Sequence, residues 1–282
     1  MTSRIVLVDA LGMIYRAFYA VTGLSTEAGR PTNAVFGFIR MLGQINRVWR
    51  PTHGLVVFDG GIPEERKKLL SSYKAQRPPM PDQLRVQLED IREYLDAAGI
   101  GRLRMEGREA DDILASAAKQ AEAAGFEVLV ASSDKDLMQI TGGNIALITP
   151  GKIENRVGPE EVYLKTGVHP AQIVEWLALT GDSSDNIPGV RGIGAKTAAR
   201  LLGEWGSLQG IFQNLERLKP ERMRALLENC RADVFRNVQI ITLDKNIKLP
   251  RPVEETKLAL ADTERLRSFY SRMEFHSMAA AL

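Results

Sequence analysis

The sequence has little cysteine, little histidine and no long apolar run. Its single cysteine, Cys230, excludes a disulfide framework and fits a reducing cytosol. The three histidines are not spaced as a pair of metal ligands, which argues against a zinc site and against a histidine-based catalytic triad. The apolar run 5–8 is cut by Asp9 and is too short for a signal peptide, and no apolar segment reaches the roughly 18 residues that a transmembrane helix needs. We therefore expect a cytoplasmic protein that does not act on membranes.

An excess of charge of either sign is also missing. Lysine and arginine number 37 against 35 for aspartate and glutamate, which gives a formal net charge of +2. Since this sum does not indicate a polyanionic partner, any nucleic-acid interpretation has to rest on local basic clusters. The 282 residues, 44% hydrophobic and 26% charged, are typical of a soluble globular enzyme with one large core or two domains.

Short apolar runs rich in β-branched residues predict parallel strands. These runs lie at 4–8, 54–58 and 127–131, with helical patterns between them at 33–48, 83–98 and 110–124. Strands that alternate with helices predict an α/β fold with a central, mostly parallel sheet flanked by helices. Each strand is followed by aspartate: Asp9, Asp59, and the pair Asp134 and Asp136. Because ligands bind beyond the carboxyl ends of such strands, these acids mark a candidate site, although a single aspartate there is often only a helix cap.

Three more carboxylates, Glu109, Asp111 and Asp112, lie within four residues at the start of a predicted helix. Two unit charges about 4 Å apart repel by roughly 4 kcal/mol at an effective dielectric of about 20. A helix N-terminus offsets only about 0.3–1 kcal/mol per anion, so a multivalent cation is the natural compensator. Ordinary capping is the alternative, and the repeated acids at the strand ends argue against it.

A basic helix is predicted between the second strand and the acidic helix. Pro63 starts it and the proline-rich stretch 78–81 ends it. Its basic residues are Arg66, Lys67, Lys68, Lys74 and Arg77, with Tyr73 among them. Lys74 and Arg77 are three residues apart and can point at one target. A solvated charged face is the alternative, but a basic helix above an acidic pocket would hold a phosphodiester against metal ions.

The strand signal fades from about residue 169, so we predict two domains, 1–168 and 169–282. The second is mainly helical, and Asp182 and Asp185 lie near its start.

A glycine turn follows, formed by Gly192 and Gly194, with Lys196 and Arg200 on one face of the next helix. The turn lacks the preceding strand that a dinucleotide site requires. A turn of this kind before an Ala/Lys helix is the pattern of helix-hairpin-helix modules, which bind the DNA backbone without reading bases.

Taken together, these motifs resemble the bacterial 5′-nuclease family, which includes the N-terminal domain of DNA polymerase I, stand-alone 5′→3′ exonucleases and the more distant flap endonucleases. The resemblance covers nearly the whole chain, through the motifs at 8–9, 57–59, 73–78, 109–112, 133–136, 181–189 and 192–194. Ala10 is a mild departure, since many members carry glycine there. The resemblance implies a PIN-like catalytic domain followed by a helical domain with a helix-hairpin-helix, or helix-three-turn-helix, module.

The resemblance also implies two divalent ions, Mg²⁺ or Mn²⁺, held by carboxylates. The implied ligands of the first ion are Asp9, Asp59 and Asp111, with Glu109 acting through water. Those of the second ion are Asp111, Asp134, Asp136 and Asp185. Asp112 and Asp182 resemble outer-shell or water-mediated members. Independently, hard carboxylate oxygens without histidine or cysteine suit these two metals.

Roles in catalysis and DNA binding are implied in the same way. Lys74 and Arg77 resemble an electrostatic pair on an arch helix that offsets phosphate charge during the reaction, alongside the catalytic Asp9, Asp59 and Asp111. Tyr73 resembles a residue that stacks on the terminal base. The turn at 192–194, with Lys196 and Arg200, would bind duplex backbone, and its carbonyls would hold K⁺.

The expected protein is a monomeric, structure-selective 5′→3′ exonuclease and flap endonuclease of replication and repair. Its expected substrates are DNA molecules with 5′ flaps, nicks or 5′ ends, and RNA primers are a further candidate substrate. No polymerase region follows Leu282, so the chain acts alone or is a piece of a longer polymerase. A PIN-type ribonuclease is one rival, which the basic helix and glycine turn argue against. A DNA-junction-binding protein with a vestigial site is another, although such proteins usually lose carboxylates that this chain retains.

Overall fold

A six-stranded, mostly parallel sheet forms the centre of the N-terminal region. The computed structural model describes residues 3–282. The strands are β1 (Arg4–Asp9), β2 (His53–Phe58), β3 (Gly101–Arg104), β4 (Glu127–Ala131), β5 (Ile145–Thr149) and β6 (Lys152–Val157). Their spatial order is β3-β2-β1-β4-β5-β6, and only β5 and β6 pair antiparallel. This arrangement confirms the predicted α/β fold class.

Helices cover both faces of the sheet and continue into a helical C-terminal region. The N-terminal helices are α1 (Ala10–Ala20), α2 (Asn33–Trp49), α3 (Glu64–Leu69), α4 (Asp82–Arg85), α5 (Gln87–Ala97), α6 (Ala110–Ala123) and α7 (Pro159–Thr166). The C-terminal helices are α8 (Ile173–Thr180), α9 (Ala195–Trp205), α10 (Leu208–Gln213), α11 (Glu221–Asn229), α12 (Arg231–Ile241), α13 (Thr263–Arg272) and α14 (His276–Ala280). Within residues 3–282, no helix combines the length and apolar character needed to cross a bilayer.

Alternate side chains of β1 enter two different cores, because successive strand residues point to opposite faces of a sheet. Ile5 and Leu7 pack with α6 and with the C-terminal helices α8 and α9. Val6 and Val8 pack with α1, α2, α5 and α13 on the other face. The sheet is therefore covered on both faces, as parallel sheets normally are.

The register of the central strands aligns their carboxyl ends. Asp9 is opposite Val57 on β2, and Val8 is opposite Ala131 on β4. The residues that follow β2 and β4 therefore emerge at the same edge of the sheet as Asp9. This alignment brings the strand-end aspartates together, as the sequence predicts.

The predicted basic helix is much shorter than expected, and this part of the prediction is wrong. The helix α3 ends at Leu69, and residues 71–76 form turns in which Lys74 has φ +56°. The turns are fixed by the loop at 182–187, since the Lys74 amide donates to the Asp185 carbonyl (3.0 Å) and the Asn186 side chain donates to the Ser72 carbonyl (2.8 Å). These tertiary hydrogen bonds replace the local bonds that would continue the helix.

The last forty or so residues return to the N-terminal sheet. The amide of Gly54 donates to the Thr256 carbonyl (3.0 Å), and the amide of Leu258 donates to the Thr52 carbonyl (3.1 Å). Phe269 of α13 is fully buried in the core that contains α2 and α5. The division into domains 1–168 and 169–282 stays a prediction, and the tail packs against the first of them.

Candidate metal centre and nucleic-acid interface

Asp9 and Asp59 occupy adjacent strand ends at the carboxyl edge of the sheet. Asp9 ends β1 and caps α1, where Oδ1 accepts from the Gly12 amide (2.9 Å) and Oδ2 accepts from the Ser132 hydroxyl (3.0 Å). The Oδ1 of Asp59 accepts from the Gly61 amide (2.8 Å). Burial raises the pKa of both carboxyls, and nearby acids raise it further. The two side chains are thus held in place with their charge poorly compensated, which suits a cation ligand.

Asp136, Asp182 and Asp185 form a second acidic group. One carboxylate oxygen of each lies within 4.8 Å of the others, and all three residues are buried. Asp136 follows β4 in a short 3₁₀ helix, while the other two lie on a loop closed by mutual Asp182–Ile187 backbone hydrogen bonds (both 2.8 Å). The Oδ1 of Asp136 is buried without a hydrogen-bond partner within the described residues. Because it is unfavourable to bury an ionised carboxylate without a partner, this oxygen is a candidate cation ligand.

Asp111 connects the two acidic groups electrostatically. Burial raises its pKa well above the ordinary value, and the charges of Asp134, Asp9 and Asp136 add to this rise. The pKa of Asp134 is raised as well, first by burial and then by Asp185 and Asp182. Its Oδ1 accepts from the Asp136 amide (2.8 Å). Asp111 therefore lies within reach of the charges of Asp9 and Asp136, and Asp134 within reach of those of Asp182 and Asp185. The roles of Asp111 and Asp134 as metal ligands stay predictions.

Asp182 differs from its neighbours because positive and polar groups compensate it. Its Oδ1 accepts from the Ser184 hydroxyl (2.6 Å) and lies 3.1 Å from the Lys135 ammonium. Burial would raise its pKa, but these two partners lower it. Asp182 therefore has protein partners for its charge, and its outer-shell or water-mediated role stays a prediction.

Glu109 lies at the N-cap of α6 and is almost fully buried. Its carboxylate pairs with both Arg66 and Lys74 and accepts from the Tyr73 hydroxyl (3.2 Å). Burial alone would raise its pKa, but the Lys74 ammonium and the Arg66 guanidinium lower it. The water-mediated metal role expected of Glu109 stays a prediction, since its contacts in this structure are with these three side chains.

Arg66 is the main residue that sequence reasoning missed as a site component. It binds both oxygens of Asp112 (2.7 and 2.8 Å) and donates to the Thr242 carbonyl (3.1 Å). The second donor to Asp112 is the Asp244 amide (2.8 Å). Asp112 is thus occupied by the protein rather than directed at the other acids, and its outer-shell role also stays a prediction. The only signal for Arg66 in the sequence is its place in a basic run.

The phosphodiester that Lys74 and Arg77 are predicted to hold stays a prediction. In this structure the two residues lie in the turn region rather than on a helix, and their side chains share one protein target. That target is Asp185, at 3.5 Å from the Lys74 Nζ and 2.6 Å from the Arg77 Nη2. Lys74 is buried, whereas the Arg77 side chain is 49% exposed. Arg77 therefore lies at the exposed rim of the second acidic group, whereas Lys74 is buried between Asp185 and Glu109.

Tyr73 does not lie where base stacking would place it. The residue is only 4% exposed, its hydroxyl donates to Glu109 and Asp185 (both 3.2 Å), and the Lys74 ammonium lies 5.0 Å from its ring centre. The expectation of an exposed stacking ring is corrected by this burial. Tyr73 instead packs beneath the turn and supports the side chains around it.

The glycine turn lies apart from the acids, at the start of α9. Gly192 has φ +87°, a conformation that glycine adopts freely, and Gly194 is the N-cap residue of α9. Lys196 and Arg200 are exposed on this helix, as predicted. The indole of Trp176 on α8 donates to the Ala195 carbonyl (3.0 Å), which fixes the turn against α8.

A groove of about 610 Å³ connects the acidic edge with α7 and α8. Asp9, Asp134 and Asp182 line it on the acidic side, and Lys165 and Trp176 line it from α7 and α8. Since Trp176 also contacts the first residue of α9, the groove leads from the acids toward the glycine turn. The lining of the groove therefore combines carboxylates with two cations, Lys135 and Lys165.

Two protein-family models together match residues 4–264 of this chain. The 5'-3' exonuclease N-terminal resolvase-like domain matches residues 4–167, and the 5'-3' exonuclease C-terminal SAM fold matches residues 168–264. A 5'-3' exonuclease of Aquifex aeolicus is 38% identical over 272 residues, which cover 96% of this chain and 92% of that protein. The thermostable DNA polymerase I of Thermus aquaticus is 41% identical over 276 residues, or 98% of this chain, but this chain spans only 32% of the polymerase.

Solved structures show the same fold. The T5 5'-exonuclease with bound zinc superposes with a TM-score of 0.73 at 20% identity, covering 96% of this chain and 98% of that one. The catalytic core of Rad2 in complex with DNA substrate gives a TM-score of 0.66 at 17% identity, covering 96% and 87%.

Proposed function

This chain is a member of the 5'-3' exonuclease family, and on that premise we propose that it hydrolyses DNA phosphodiesters at 5′ ends and at 5′ flaps. The observation that carries the proposal is the unpartnered, buried carboxylate of Asp136 beside Asp182 and Asp185. Burial and the neighbouring acids oppose ionisation of Asp136, and a bound cation would relieve that repulsion. Asp182 of the same group also lines the groove at the acidic edge.

Two divalent ions fit the donor set. Carboxylate oxygens alone favour Mg²⁺ or Mn²⁺ over metals that prefer nitrogen or sulfur ligands. We propose that one ion binds at the strand ends near Asp9 and Asp59, the other near Asp136 and Asp185, and that Asp111 and Asp134 complete the two sites. Ions at such a site supply an activated water and stabilise the leaving oxygen of a phosphodiester.

The side chains around the acids have distinct tasks in this proposal. Lys74 and Arg77 offset negative charge on the bound phosphate. Arg66 and Tyr73 hold Glu109, which keeps the start of α6 in position. Lys196 and Arg200 bind duplex backbone at the glycine turn, where a potassium ion is also proposed. The protein acts as a monomer on flaps, nicks or 5′ ends of DNA.

The test is cleavage of a 5′-labelled DNA flap and of a blunt duplex in Mg²⁺, with and without EDTA. We expect cleavage that EDTA abolishes. Asp111→Asn should remove cleavage while leaving flap binding in Ca²⁺ nearly unchanged. Glu89→Gln, whose side chain is 79% exposed, is the matched control and should cleave like the wild type.

The same assay distinguishes the rivals. A flap arm made of RNA, at the same length and label, tests the ribonuclease alternative. Preference for the RNA arm would replace DNA as the substrate, and tight flap binding without cleavage in either metal would make the protein a DNA-junction-binding protein. Cleavage by Asp111→Asn at the wild-type rate would contradict the proposed metal site.

A further inference from the structure

The helix α11 faces the glycine turn across a cleft of about 780 Å³. Arg191, Gly192 and Arg200 line the cleft from the turn and α9, and Arg222 lines it from α11. The two walls are close, since a Cβ atom built on Gly192 would lie 4.0 Å from the Leu226 side chain. The cleft is therefore formed jointly by the turn and a helix outside it.

The lining of this cleft is positive. Three of its side chains are guanidinium groups, and within residues 3–282 no acid lines it. Arg200 has a partner outside the cleft, Glu204 at 3.1 Å, but this pair is about half exposed and so exchanges easily with solvent or ligand. Arg191 and Arg222 are exposed. Arginines that converge without a shared acid repel one another, and a bound anion relieves that repulsion.

The chemistry of the remaining lining narrows the class of anion. Thr197 adds a hydroxyl donor, and Ile193, Met223 and Leu226 add apolar surface. Guanidinium and hydroxyl groups beside an apolar surface match a phosphodiester with its sugar better than a bare inorganic ion. The cleft is also open to solvent.

We propose that this cleft is a second phosphate-binding wall for duplex DNA, in which α11 contributes Arg222 opposite the glycine turn. The backbone of one strand passes between Arg191 and Arg200 on one side and Arg222 on the other. The inference rests on the proposed function, because it assigns the ligand as the duplex arm of the same substrate. The contribution of Arg222 to DNA affinity should therefore depend on the length of that duplex arm and not on the flap.

The same helix provides a matched control. Arg224 also lies on α11, but it pairs with Glu221 (2.8 Å) and does not line the cleft. Removing Arg224 changes the net charge by the same amount as removing Arg222. A difference between the two variants therefore reports the position of the charge, not its loss.

The experiment measures binding of a fluorescent flap substrate to the full chain in Ca²⁺ over a series of NaCl concentrations. Each neutralised phosphate contributes about 0.9 to the slope of log K against log salt, so Arg222→Ala should lower the slope by about that amount. Arg224→Ala should keep the wild-type slope. On a substrate whose duplex arm is too short to reach α11, all three proteins should bind alike.

The experiment distinguishes failure of the cleft proposal from failure of the proposed nuclease function. Suppose that the wild type cleaves the flap, and that Arg222→Ala and Arg222→Glu keep the wild-type slope of log K against log salt and the wild-type circular dichroism. The cleft then does not bind duplex backbone, although the protein is a nuclease. A wild type that neither binds nor cleaves the substrate overturns both. Loss of slope in Arg224→Ala equal to that in Arg222→Ala would show a diffuse charge effect and overturn the assigned cleft.

Discussion

The guanidinium of Arg66 binds both carboxylate oxygens of Asp112, with Nη1 2.7 Å from Oδ2 and Nη2 2.8 Å from Oδ1. Both residues are buried, at 8% and 2% exposure. The pair also bonds to the segment after α12, through the Thr242 carbonyl and the Asp244 amide. One ion pair thus joins α3, the acidic helix α6 and the C-terminal region.

Arg66→Met should destabilise the protein strongly. The change leaves Asp112 without its bidentate partner and Glu109 with Lys74 as its only cation, and a broken buried ion pair costs about 3–5 kcal/mol. The free energy of unfolding in urea, measured in EDTA, checks this. Arg85→Met is the control, because its pair with Asp82 is long (4.0 Å) and exposed, and such pairs contribute about 0–1 kcal/mol. An equal decrease in the free energy of unfolding in the two variants would contradict a structural role for Arg66.

Asp136→Asn should stabilise the protein without metal and weaken its response to metal. Burial and the charges of Asp134, Asp182 and Asp185 raise the pKa of Asp136, so its ionised form opposes folding when no cation is bound. We expect a higher Tm than the wild type in EDTA. Mn²⁺ should raise the wild-type Tm, since a ligand that binds only the folded state stabilises it, and should raise that of the variant less.

Asp82→Asn serves as the control for this measurement, because the Asp82 side chain is 96% exposed. It should leave the Tm unchanged in EDTA and keep the full response to Mn²⁺. An Asp136→Asn protein that is less stable than the wild type in EDTA would show that the repulsion is already compensated within the chain.

Lys74→Ala should slow the chemical step. The buried ammonium lies 3.5 Å from Asp185 and also pairs with Glu109, and removing one charge-stabilising donor typically lowers kcat about 10²- to 10³-fold. Single-turnover cleavage at saturating enzyme measures this step directly. Lys68→Ala, whose side chain is 76% exposed on α3, should cleave normally. Unchanged turnover in Lys74→Ala would show that Lys74 takes no part in the chemical step.

Tyr73→Leu should leave the affinity for a 5′ single-stranded arm unchanged while lowering stability. The ring is buried, and the variant loses the hydroxyl, whose one proton is shared between Glu109 and Asp185 and counts as a single hydrogen bond of about 0.5–1.5 kcal/mol. If the Tyr73 ring stacked on the terminal base, its loss would instead weaken DNA binding by about 1–3 kcal/mol, and each 1.4 kcal/mol raises the Kd tenfold. Binding in Ca²⁺ of DNA with and without the arm separates the two, and an arm-specific loss would restore the stacking role.

The local sequence decides the three central strands β1, β2 and β4 and the acids that follow them, but it did not predict β3, β5 or β6. Apolar runs of strand length, each followed by aspartate, are readable because parallel strands end at one edge, so Asp9, Asp59 and Asp134 converge whatever connects them. The glycine turn before α9 is readable for a similar reason, since the φ of +87° at Gly192 is a requirement of one residue. These features depend on neighbours in the chain.

The partners of the buried charges depend on residues far apart, and only the tertiary structure decides them. Arg66 pairs with Asp112 across 46 positions, and Arg77 pairs with Asp185 across 108. The turn at Lys74 forms because the loop around Asp185 and Asn186 binds its backbone, which outweighs the helical preference of the basic run. The sequence by itself therefore determined that aspartates follow the central strands at one edge of the sheet. Packing of distant segments decided which of the predicted acids face one another and which cations neutralise the others, because ion-pair geometry is set by the approach of whole elements.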